Sequence, residues 1–576
     1  MLWRTLQPRG LTGSLRRISP VCSSISSQKP WLNRGGRTAR PNLASHSRLR
    51  LYSASASGFS PIDDTVYALS TAQGRAAIAV IRVSGPSCLD VYKALCPGKV
   101  VPRPRVATVR SLYDPEASSA DASAVLDAEA LVLYFPGPRT VTGDDVLELH
   151  VHGGPATVKS VLSAVPRCIP TPSDGEGPPR IVRYAEPGEF TKRGFVNGRL
   201  DLAQIESLSD TLAAETEQQR RAAVRGNSGR LGRTYDGWRE QLIYARGEIE
   251  ALIDFSEDQH FDEPQSELLS SVTSQIESML HSINLHEQGS QRSELLRGGI
   301  RIALLGPPNV GKSSLMNLVV GREASIVSGE AGTTRDIVEA SLDMRGYLCC
   351  FADTAGVRSS GDDGSVGAIE EEGIRRAMKK AREADVVIVL ASVEQGPGGP
   401  AICFDERTLD LAAQAKSSIA VLNKIDAVSP EILKTLIDEF QQTVAKWSPE
   451  LAAGGVVGIS CRQAEAAGSV VGAKDLGGIQ SLIDGLVSCF SRMTAMPVDM
   501  QDLLGVTERQ RQLLVKCRGH LEDFMAEARP DDDSERDSDA VLAAEHLRYA
   551  ANCLSRITGR GDAGDVEDVL GVVFEK

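Results

Sequence analysis

The sequence predicts a multidomain protein with an N-terminal α+β domain, followed by an all-α helical domain whose chain is interrupted by an inserted α/β domain. Three observations support this prediction. The chain has 576 residues, which is too long for one compact core. Strand-like and helix-like apolar patterns alternate only between Ile300 and about Phe490. Helical patterns occur on both sides of that region.

Residues 1–58 have the composition of a mitochondrial transit peptide. Ten Lys or Arg residues and many serines precede the first acidic residue, Asp63. Composition alone also allows a basic arm that contacts nucleic acid. The run Arg50-Leu51-Tyr52-Ser53 is similar to presequence cleavage sites, so we expect a mature start near Ser53 and import into the mitochondrial matrix. Without these ten positive charges the net charge of −13 becomes −23, which argues against nonspecific RNA binding.

Short apolar runs separated by Gly- and Pro-rich turns predict the α+β domain over residues 59–198. His150 and His152 would lie on one face of a strand there. Two imidazoles alone make a weak metal site, and no third ligand is apparent in the sequence. We therefore expect no metal at this position.

Helical periodicity predicts a second domain in two parts, residues 199–297 and 493–576. Leu202, Ile205, Leu208 and Leu212 recur at helical spacing in the first part. The eleven cysteines are scattered and include no C-x-x-C pair, so we expect buried thiols instead of a zinc or redox site. No apolar run approaches the ~20 residues that a membrane-spanning helix needs.

The inserted domain, residues 298–492, is predicted to contain a parallel sheet covered on both faces. Its first strand leads into Gly306-Pro307-Pro308-Asn309-Val310-Gly311-Lys312-Ser313, a complete P-loop in the strand–loop–helix context that the motif requires. Backbone N–H groups of such a loop face the phosphates, and the next helix adds its dipole. We expect Lys312 to reach the β- and γ-phosphates and Ser313 to bind Mg²⁺.

Three further motifs predict that the nucleotide is GTP and that this is a Ras-like α/β P-loop G domain. The run 332–336 supplies a threonine for Mg²⁺ and the γ-phosphate, and the run 353–356 places an acid and a mobile glycine after a strand. In Asn423-Lys424-Ile425-Asp426, the Asp426 carboxylate can accept hydrogen bonds from guanine N1–H and N2–H, which adenine lacks. Ser460 and Cys461 would form the last turn that contacts the base.

Two residues of this domain leave the mechanism open. Val357 stands where Ras-like enzymes commonly have a glutamine that orients the attacking water, so hydrolysis is either very slow or depends on another group. The run Glu370-Glu371-Glu372 could supply that group, or could be a charge cluster at a helix N-terminus. Asn309 could coordinate a monovalent cation beside the phosphates, or could stabilise a turn.

Longer strings are more specific than these motifs. They are residues 84–86, 141–155 (V-T-G-D-D-V-L-E-L-H-V-H-G-G-P), 186–191 and 197–204 (N-G-R-L-D-L-A-Q). Together with the G-domain motifs they resemble the MnmE/TrmE tRNA-modification GTPases, from about Asp64 to the last residues. The resemblance implies a K⁺-dependent GTPase that acts with a flavin-dependent MnmG/GidA-type partner. Their product would be a carboxymethylaminomethyl-type group at C5 of the wobble uridine of certain tRNAs.

The same resemblance implies a homodimer and a formyl-tetrahydrofolate-type one-carbon cofactor. By position it implies folate contacts from Arg82, Glu148 and Arg199. It implies K⁺ ligation by Asn309, Ser328, Glu330 and Thr333, and Mg²⁺ ligation by Ser313 and Thr334. Glu370 would organise the catalytic water, with Lys312 and Asp353 as the other catalytic residues. The full set of expected GTP-binding residues is Asn309, Val310, Gly311, Lys312, Ser313, Ser314, Ser328, Thr333, Thr334, Asp353, Thr354, Ala355, Gly356, Asn423, Lys424, Asp426, Ser460 and Cys461.

Two alternatives remain at this stage. A ribosome-assembly GTPase of the Era or EngA type would share the G-domain motifs but not the strings at 141–155 and 197–204. A non-catalytic RNA-complex scaffold is suggested by the last residues, Phe574-Glu575-Lys576, because family members usually end in Phe-Cys-Ile-Gly-Lys. Either the sequence is truncated or part of the modification site is lacking, and we expect Cys553 to be a packed core thiol instead of a substitute.

Overall fold

The computed structural model describes residues 64–117, 122–169, 180–256, 265–322, 324–326, 340–352, 379–396, 399–467, 475, 477–528 and 539–560. The first of its domains is built on a six-stranded sheet. Its strands are β1 (Thr65–Leu69), β2 (Ile78–Ser84), β3 (Thr108–Tyr113), β4 (Val125–Phe135), β5 (Val146–His152) and β6 (Val182–Tyr184), and its helices are α1 (Cys88–Leu95), α2 (Pro155–Ala164) and α3 (Glu189–Val196).

The sheet has the strand order β3-β4-β5-β2-β1-β6. All its pairings are antiparallel except that of β1 with β6. Alternate residues of β2, such as Ile81 and Val83, are fully buried in a core shared with α1 and α2, as period-two alternation requires. The residue between them, Arg82, points to the opposite face, beside its cross-strand neighbour Glu148.

A buried arginine fixes helix α3 to this sheet. The Arg193 side chain is only 1% exposed and forms ion pairs with Asp64 at 2.5 Å and Glu189 at 3.1 Å. Arg183 pairs with the same two carboxylates, and these arginines hold the pKa of Glu189 below its usual value despite its burial. A buried charge is tolerated only when it is paired in this way.

The second domain is helical and is formed by chain segments on both sides of the inserted domain. Tyr235 and Ile283 from the first segment share one hydrophobic core with Leu514 and Leu547 from the second. This confirms the predicted discontinuous helical domain. Its helices are α4 (Leu202–Ala213), α5 (Glu217–Gly226), α6 (Arg230–Ser256) and α7 (Gln265–Gly298), followed after the inserted domain by α14 (Glu508–Ala528) and α15 (Ala540–Thr558).

Local sequence explains where α4 begins. Asp201 accepts a hydrogen bond from Gln204 N at 2.8 Å, and the Gln204 side chain accepts one from Asp201 N at 3.0 Å. This capping box satisfies two backbone N–H groups at the helix start. Leu212, which belongs to the apolar pattern of this helix, is 76% exposed, so the buried face ends before it.

The inserted domain has a largely parallel sheet with the path β14-β13-β11-β7-β10-β9-β8, and β12 pairs with β11. Strands β8, β9 and β12 are antiparallel to their neighbours. The strands are β7 (Ile300–Leu305), β8 (Ala324–Ile326), β9 (Ala340–Met344), β10 (Tyr347–Ala352), β11 (Val386–Gly396), β12 (Gly399–Cys403), β13 (Ser418–Asn423) and β14 (Val456–Gly458).

Helices cover both faces of this sheet. Ile302 and Leu304 of β7 belong to one core, and Ala303 and Leu305 to the other. This two-sided burial explains why the strand reads as a continuous apolar run and confirms the predicted α/β fold. The helices are α8 (Lys312–Arg322), α9 (Glu406–Ala413), α10 (Pro430–Trp447), α11 (Pro449–Ala453), α12 (Cys461–Ala467) and α13 (Ile479–Thr494).

The predicted domain bounds stay predictions.

Among the described helices, none combines the length and apolar character needed to cross a membrane.

A buried histidine makes the helical domain sensitive to acid. His286 is 8% exposed, its Nδ1 lies 3.1 Å from the Tyr235 hydroxyl, and the centre of its ring lies 4.9 Å from that of Trp238, with the two rings tilted by 57°. Burial lowers the pKa of His286 from 6.5 to about 4. The neutral imidazole therefore stabilises the fold fully above pH 6.5, and this contribution is lost as the pH falls towards 4.

We expect the free energy of unfolding of the helical domain to fall between pH 6.5 and 4, with a contribution from His286 of up to about 3 kcal/mol. His286→Gln removes the titrating group and should make the pH dependence shallower. Denaturant unfolding followed by Trp238 fluorescence at several pH values measures this. His281→Gln, an exposed position on the same helix, is the matched control. Equal pH dependence in the His286 variant and the wild type would contradict the assignment.

Candidate nucleotide site

The loop between β7 and α8 has the backbone of a phosphate-binding loop. Gly306 and Gly311 have φ values of +151° and +100°, which favour glycine. A Cβ at Gly306 would lie 2.2 Å from Leu390 O, and one at Gly311 would lie 2.3 Å from Asn423 Nδ2. Both glycines are therefore required by close contacts as well as by conformation. The strand–loop–helix arrangement is the one that the sequence predicted.

Lys312, the first residue of α8, folds back across this loop. Its ammonium donates hydrogen bonds of 2.8 Å to Gly306 O and to Pro307 O. Partial burial lowers the pKa of Lys312, because the charged form loses solvation. Two backbone carbonyls therefore hold the ammonium over the loop. Val310 precedes Lys312 in the loop. Ser313 and Ser314 follow it in the first turn of α8, and Ser313 is exposed.

Asn423 connects the phosphate loop to the predicted base-binding turn. This residue ends β13 and is 2% exposed. Its Nδ2 donates to Val310 O at 2.7 Å, while its Oδ1 accepts from Lys424 N at 2.7 Å and Cys461 N at 3.3 Å. One amide side chain thus joins three segments at the carboxyl edge of the sheet.

The Asp426 carboxylate, which is predicted to recognise guanine, accepts a hydrogen bond from a buried serine. The hydroxyl of Ser460, a fully buried residue, donates to Asp426 Oδ1 at 2.6 Å and accepts from Gln463 N at 3.1 Å. Lys424 adopts a left-handed conformation with φ +60°, and its ammonium lies 3.2 Å from Glu394 Oε1. The structure therefore brings Asn423, Asp426, Ser460 and Cys461 together. Sequence reasoning missed Glu394, which lies in the exposed last part of β11 and belongs to no motif.

Asn309 lies on the exposed outer side of the phosphate loop with φ +63°. Asparagine adopts this left-handed conformation more readily than most residues. The other predicted nucleotide, metal and catalytic residues lie outside the described part of the chain, so the structure places none of them. They are Ser328, Glu330, Thr333, Thr334, Asp353, Thr354, Ala355, Gly356 and Glu370.

In the N-terminal domain, Arg82 and Glu148 are direct cross-strand neighbours. The Arg82 guanidinium donates to Glu148 Oε1 from Nε at 3.0 Å and from Nη2 at 2.9 Å, and it lies 5.7 Å from the Phe190 ring centroid. Both side chains remain partly exposed. Arg199 makes its hydrogen bond elsewhere, from Nε to Thr140 O at 3.0 Å. Two of the three predicted folate contacts therefore meet, and the third lies against the neighbouring loop.

Each of the two histidines on β5 has a carboxylate partner. His150 Nε2 lies 3.4 Å from Glu148 Oε2, and His152 Nδ1 lies 2.9 Å from Asp127 Oδ1. His152 N also donates to Asp127 Oδ2, so this pair joins β5 to β4. Both histidines therefore contact carboxylates of the same sheet.

Comparison with known proteins covers almost the entire described chain. Residues 65–199 match the family model described as the GTP-binding protein TrmE N-terminus, and residues 202–576 match the MnmE helical domain. The chain belongs to the TrmE/MnmE family. The second match begins at the capped helix α4 and includes the inserted domain.

Relatives of nearly full length agree with this assignment. The chain is 38% identical over 512 residues to a protein from Parvibaculum lavamentivorans named tRNA modification GTPase MnmE, covering 89% of this chain and 98% of the relative. It is 35% identical to the Danio rerio protein named 5-taurinomethyluridine-[tRNA] synthase subunit GTPB3, mitochondrial, covering 89% and 92%. It is 36% identical to the Schizosaccharomyces pombe tRNA modification GTPase mss1, mitochondrial, covering 89% and 94%.

The close contact at Gly311 can be tested by substitution. Gly311→Ala places a methyl group against Asn423 Nδ2 and strains a left-handed backbone at a cost of about 1–3 kcal/mol. We expect nucleotide affinity to fall by roughly ten- to a hundredfold, measured with a fluorescent guanine nucleotide.

Gly321→Ala is the matched control, because Gly321 lies in α8, the helix that follows the loop, and outside the backbone of that helix no atom of the described residues comes within 4 Å of an added Cβ. This variant should bind nucleotide normally and be slightly more stable, since alanine favours helices. Equal affinity in the two variants would show that the close contact at Gly311 does not control the site.

Proposed function

We propose that this protein hydrolyses GTP in mitochondria and couples that reaction to modification of C5 of the wobble uridine in certain tRNAs, together with a flavin-dependent partner of the MnmG/GidA type. The observation that carries the proposal is the buried Asn423 amide that joins the phosphate loop to the Asp426 turn, in a chain of the TrmE/MnmE family. Relatives with the words tRNA modification and mitochondrial in their names support the substrate and the compartment.

The guanine preference follows from the position of Asp426. Ser460 fixes one carboxylate oxygen by its hydrogen bond, so the carboxylate is presented in one orientation before the base arrives. A guanine ring offers N1–H and N2–H to such an acceptor, whereas adenine offers neither. The buried contacts of Asn423 keep this turn at a fixed distance from the phosphates. ATP would bring no N–H donor to the second carboxylate oxygen, so the base would lose these two hydrogen bonds.

On the phosphate side, Lys312 would exchange its carbonyl partners for phosphate oxygens, and Ser313 would hold Mg²⁺ with Thr334. The exposed Ser313 hydroxyl at the start of α8 is the kind of oxygen ligand that Mg²⁺ takes, and the two glycines leave the loop backbone open to phosphate. Mg²⁺ would neutralise phosphate charge. Glu370 would position the attacking water, since Val357 lacks any polar group for that purpose. We place K⁺ beside Asn309, with Ser328, Glu330 and Thr333 as its further ligands.

The N-terminal domain is proposed to hold a formyl-tetrahydrofolate-type cofactor and to form the homodimer. Arg82 and Glu148 offer a cation and a carboxylate on one partly exposed sheet face, which suits a ligand with both N–H donors and acidic groups. On the same face Ile78 and Val109 are 60% and 58% exposed, and this favours contact with a second copy. Family membership over the whole chain favours this function over a ribosome-assembly GTPase of the Era or EngA type.

Asp426→Asn tests the coupling of GTP to tRNA modification. The amide N–H of the new asparagine would face the N2–H donor of guanine, which is unfavourable. Xanthine has a carbonyl oxygen at C2 that can accept from this amide. We therefore expect affinity to shift from GTP to XTP by tenfold or more (about 1.4 kcal/mol per tenfold). In cells lacking the endogenous protein, this variant should fail to restore the C5 modification of wobble uridine, as measured by mass spectrometry of mitochondrial tRNA.

Asp438→Asn, at an exposed position of α10, is the matched control and should restore the modification fully. If Asp426→Asn restored the modification despite its loss of GTP affinity, the modification would not require GTP binding at this site. Failure of the wild-type chain to restore it would favour the ribosome-assembly or scaffold functions.

We also expect GTP turnover to be faster in K⁺ than in Na⁺ by on the order of tenfold or more, because a cation beside the phosphates stabilises charge that develops in the transition state. Asn309→Gly keeps the left-handed backbone but removes the amide oxygen. Steady-state turnover of this variant should be nearly equal in the two salts, with nucleotide affinity unchanged. Strong K⁺ stimulation in the variant would remove Asn309 from the cation site.

A further inference from the structure

Three potential metal ligands meet on the two C-terminal helices, away from the residues assigned above. His520 and Asp523 lie one turn apart on α14, and His546 lies on α15. Each offers one ligand atom, and these atoms all lie within 4.8 Å of one another. Spacing of three residues places the first two on the same helix face, so the three side chains converge at one point between the helices.

The nitrogen of His546 that faces this point has no hydrogen-bond partner among the described residues. Its Nδ1 is buried, and the His546 side chain is 18% exposed. The closest approach to the Asp523 carboxylate is 3.9 Å from Nδ1 to Oδ2, which is too long for a hydrogen bond. A buried polar atom without a partner is uncommon and calls for a physical explanation.

A metal ion between the two atoms would provide that explanation. Zinc binds imidazole nitrogen and carboxylate oxygen at about 2.0–2.2 Å, so two ligands of one tetrahedral ion lie about 3.3 Å apart. The observed 3.9 Å exceeds this by a small amount. Asp523 is 61% exposed and free to rotate towards the ion. Its exposure also leaves the remaining coordination positions open to water.

The helix pair holds these ligands in a defined frame. The His520 ring packs 5.4 Å from Tyr549, and Asp523 faces His546 one turn further along, so the two helices run antiparallel. Beneath the cluster, Phe524 and Leu547 are fully buried in the helical core. Ligands on packed helices need little reorganisation to bind an ion.

The ligand atoms of the cluster indicate which class of metal ion it would bind. Two imidazoles and one carboxylate suit Zn²⁺ and related first-row ions, whereas Mg²⁺ and Ca²⁺ prefer oxygen ligands. Arg548 stacks on Tyr549 at 4.9 Å, but it is paired with Glu545 at 2.6 Å, so its charge is locally balanced.

We propose that His520, Asp523 and His546 form a binding site for a divalent first-row transition-metal ion, with Zn²⁺ as the preferred ion, which links α14 to α15.

The experiment uses the full chain, stripped of metal with a chelator and then saturated with Mg²⁺ and GDP so that the nucleotide site is filled. Titration with Zn²⁺ should show one equivalent bound by the wild type, with affinity reduced by about tenfold or more in His520→Gln and His546→Gln. His281→Gln, exposed on α7, should bind as the wild type does. Zn²⁺ should raise the thermal midpoint of the wild type but not of the two ligand variants.

Co²⁺ provides a test that needs no variant. Bound at this site in the wild type, it should produce the visible absorption of nitrogen- and oxygen-ligated Co²⁺, and Zn²⁺ should displace it. Absence of that absorption, or equal Zn²⁺ affinity in wild type and both ligand variants, would overturn the proposal. GTP turnover in Mg²⁺ should be unchanged in His520→Gln and His546→Gln, so the outcome is independent of the proposed GTPase function.

Discussion

The nucleotide site depends on the buried side chain of Asn423. Its amide donates to Val310 in the phosphate loop and accepts from the backbone of Lys424 and Cys461. Replacing such a group leaves several backbone atoms without partners, each at a cost of about 1–3 kcal/mol. The same contact explains Gly311, because any side chain there would occupy the space through which Asn423 reaches the loop. The phosphate loop and the predicted base-binding turn are therefore parts of one hydrogen-bonded unit.

The inserted domain is attached to the helical domain at both ends of its chain. Near the end of α7, Arg292 donates to Ala495 O at 2.6 Å, and Ser293 donates to Leu504 O at 2.6 Å. The chain thus enters and leaves the inserted domain along the same helix. A third contact joins Gln218 N of α5 to Gly346 O in the turn between β9 and β10 at 3.0 Å. The inserted domain therefore also contacts the helical domain away from the two chain connections.

The features that sequence predicts well here are local. The phosphate loop and the Asn423-Lys424-Ile425-Asp426 turn follow strands whose apolar runs are continuous, and parallel strands bring their carboxyl ends to one edge of the sheet. The capping box of Asp201 and Gln204 also lies within four consecutive residues, which explains part of the specific string at 197–204. Contacts of this kind are encoded in neighbouring residues.

Other features depend on which faces of distant elements meet. Burial of Arg193 opposes the average behaviour of arginine and is permitted only by carboxylates up to 129 residues away in sequence. The meeting of Asp523 with His546 depends on the register of two helices, which periodicity does not determine. Leu212 shows the converse, because a residue on an apolar helical pattern is left exposed. Composition and spacing therefore predict a candidate nucleotide site but not the charged contacts within the other two domains.

The acidic charge of the folded chain constrains how it meets tRNA. With a net charge of −23 beyond its basic N-terminal segment, the chain repels a polyanion on average, and phosphate contacts usually supply most of the affinity for nucleic acid. Many of its arginines are already paired with carboxylates, as Arg183, Arg193 and Arg297 show. Affinity for tRNA must then come from a local basic surface of this chain or from a second protein. Under the proposed function, which includes a second protein, this chain would supply GTP hydrolysis and the second protein would supply much of the RNA contact.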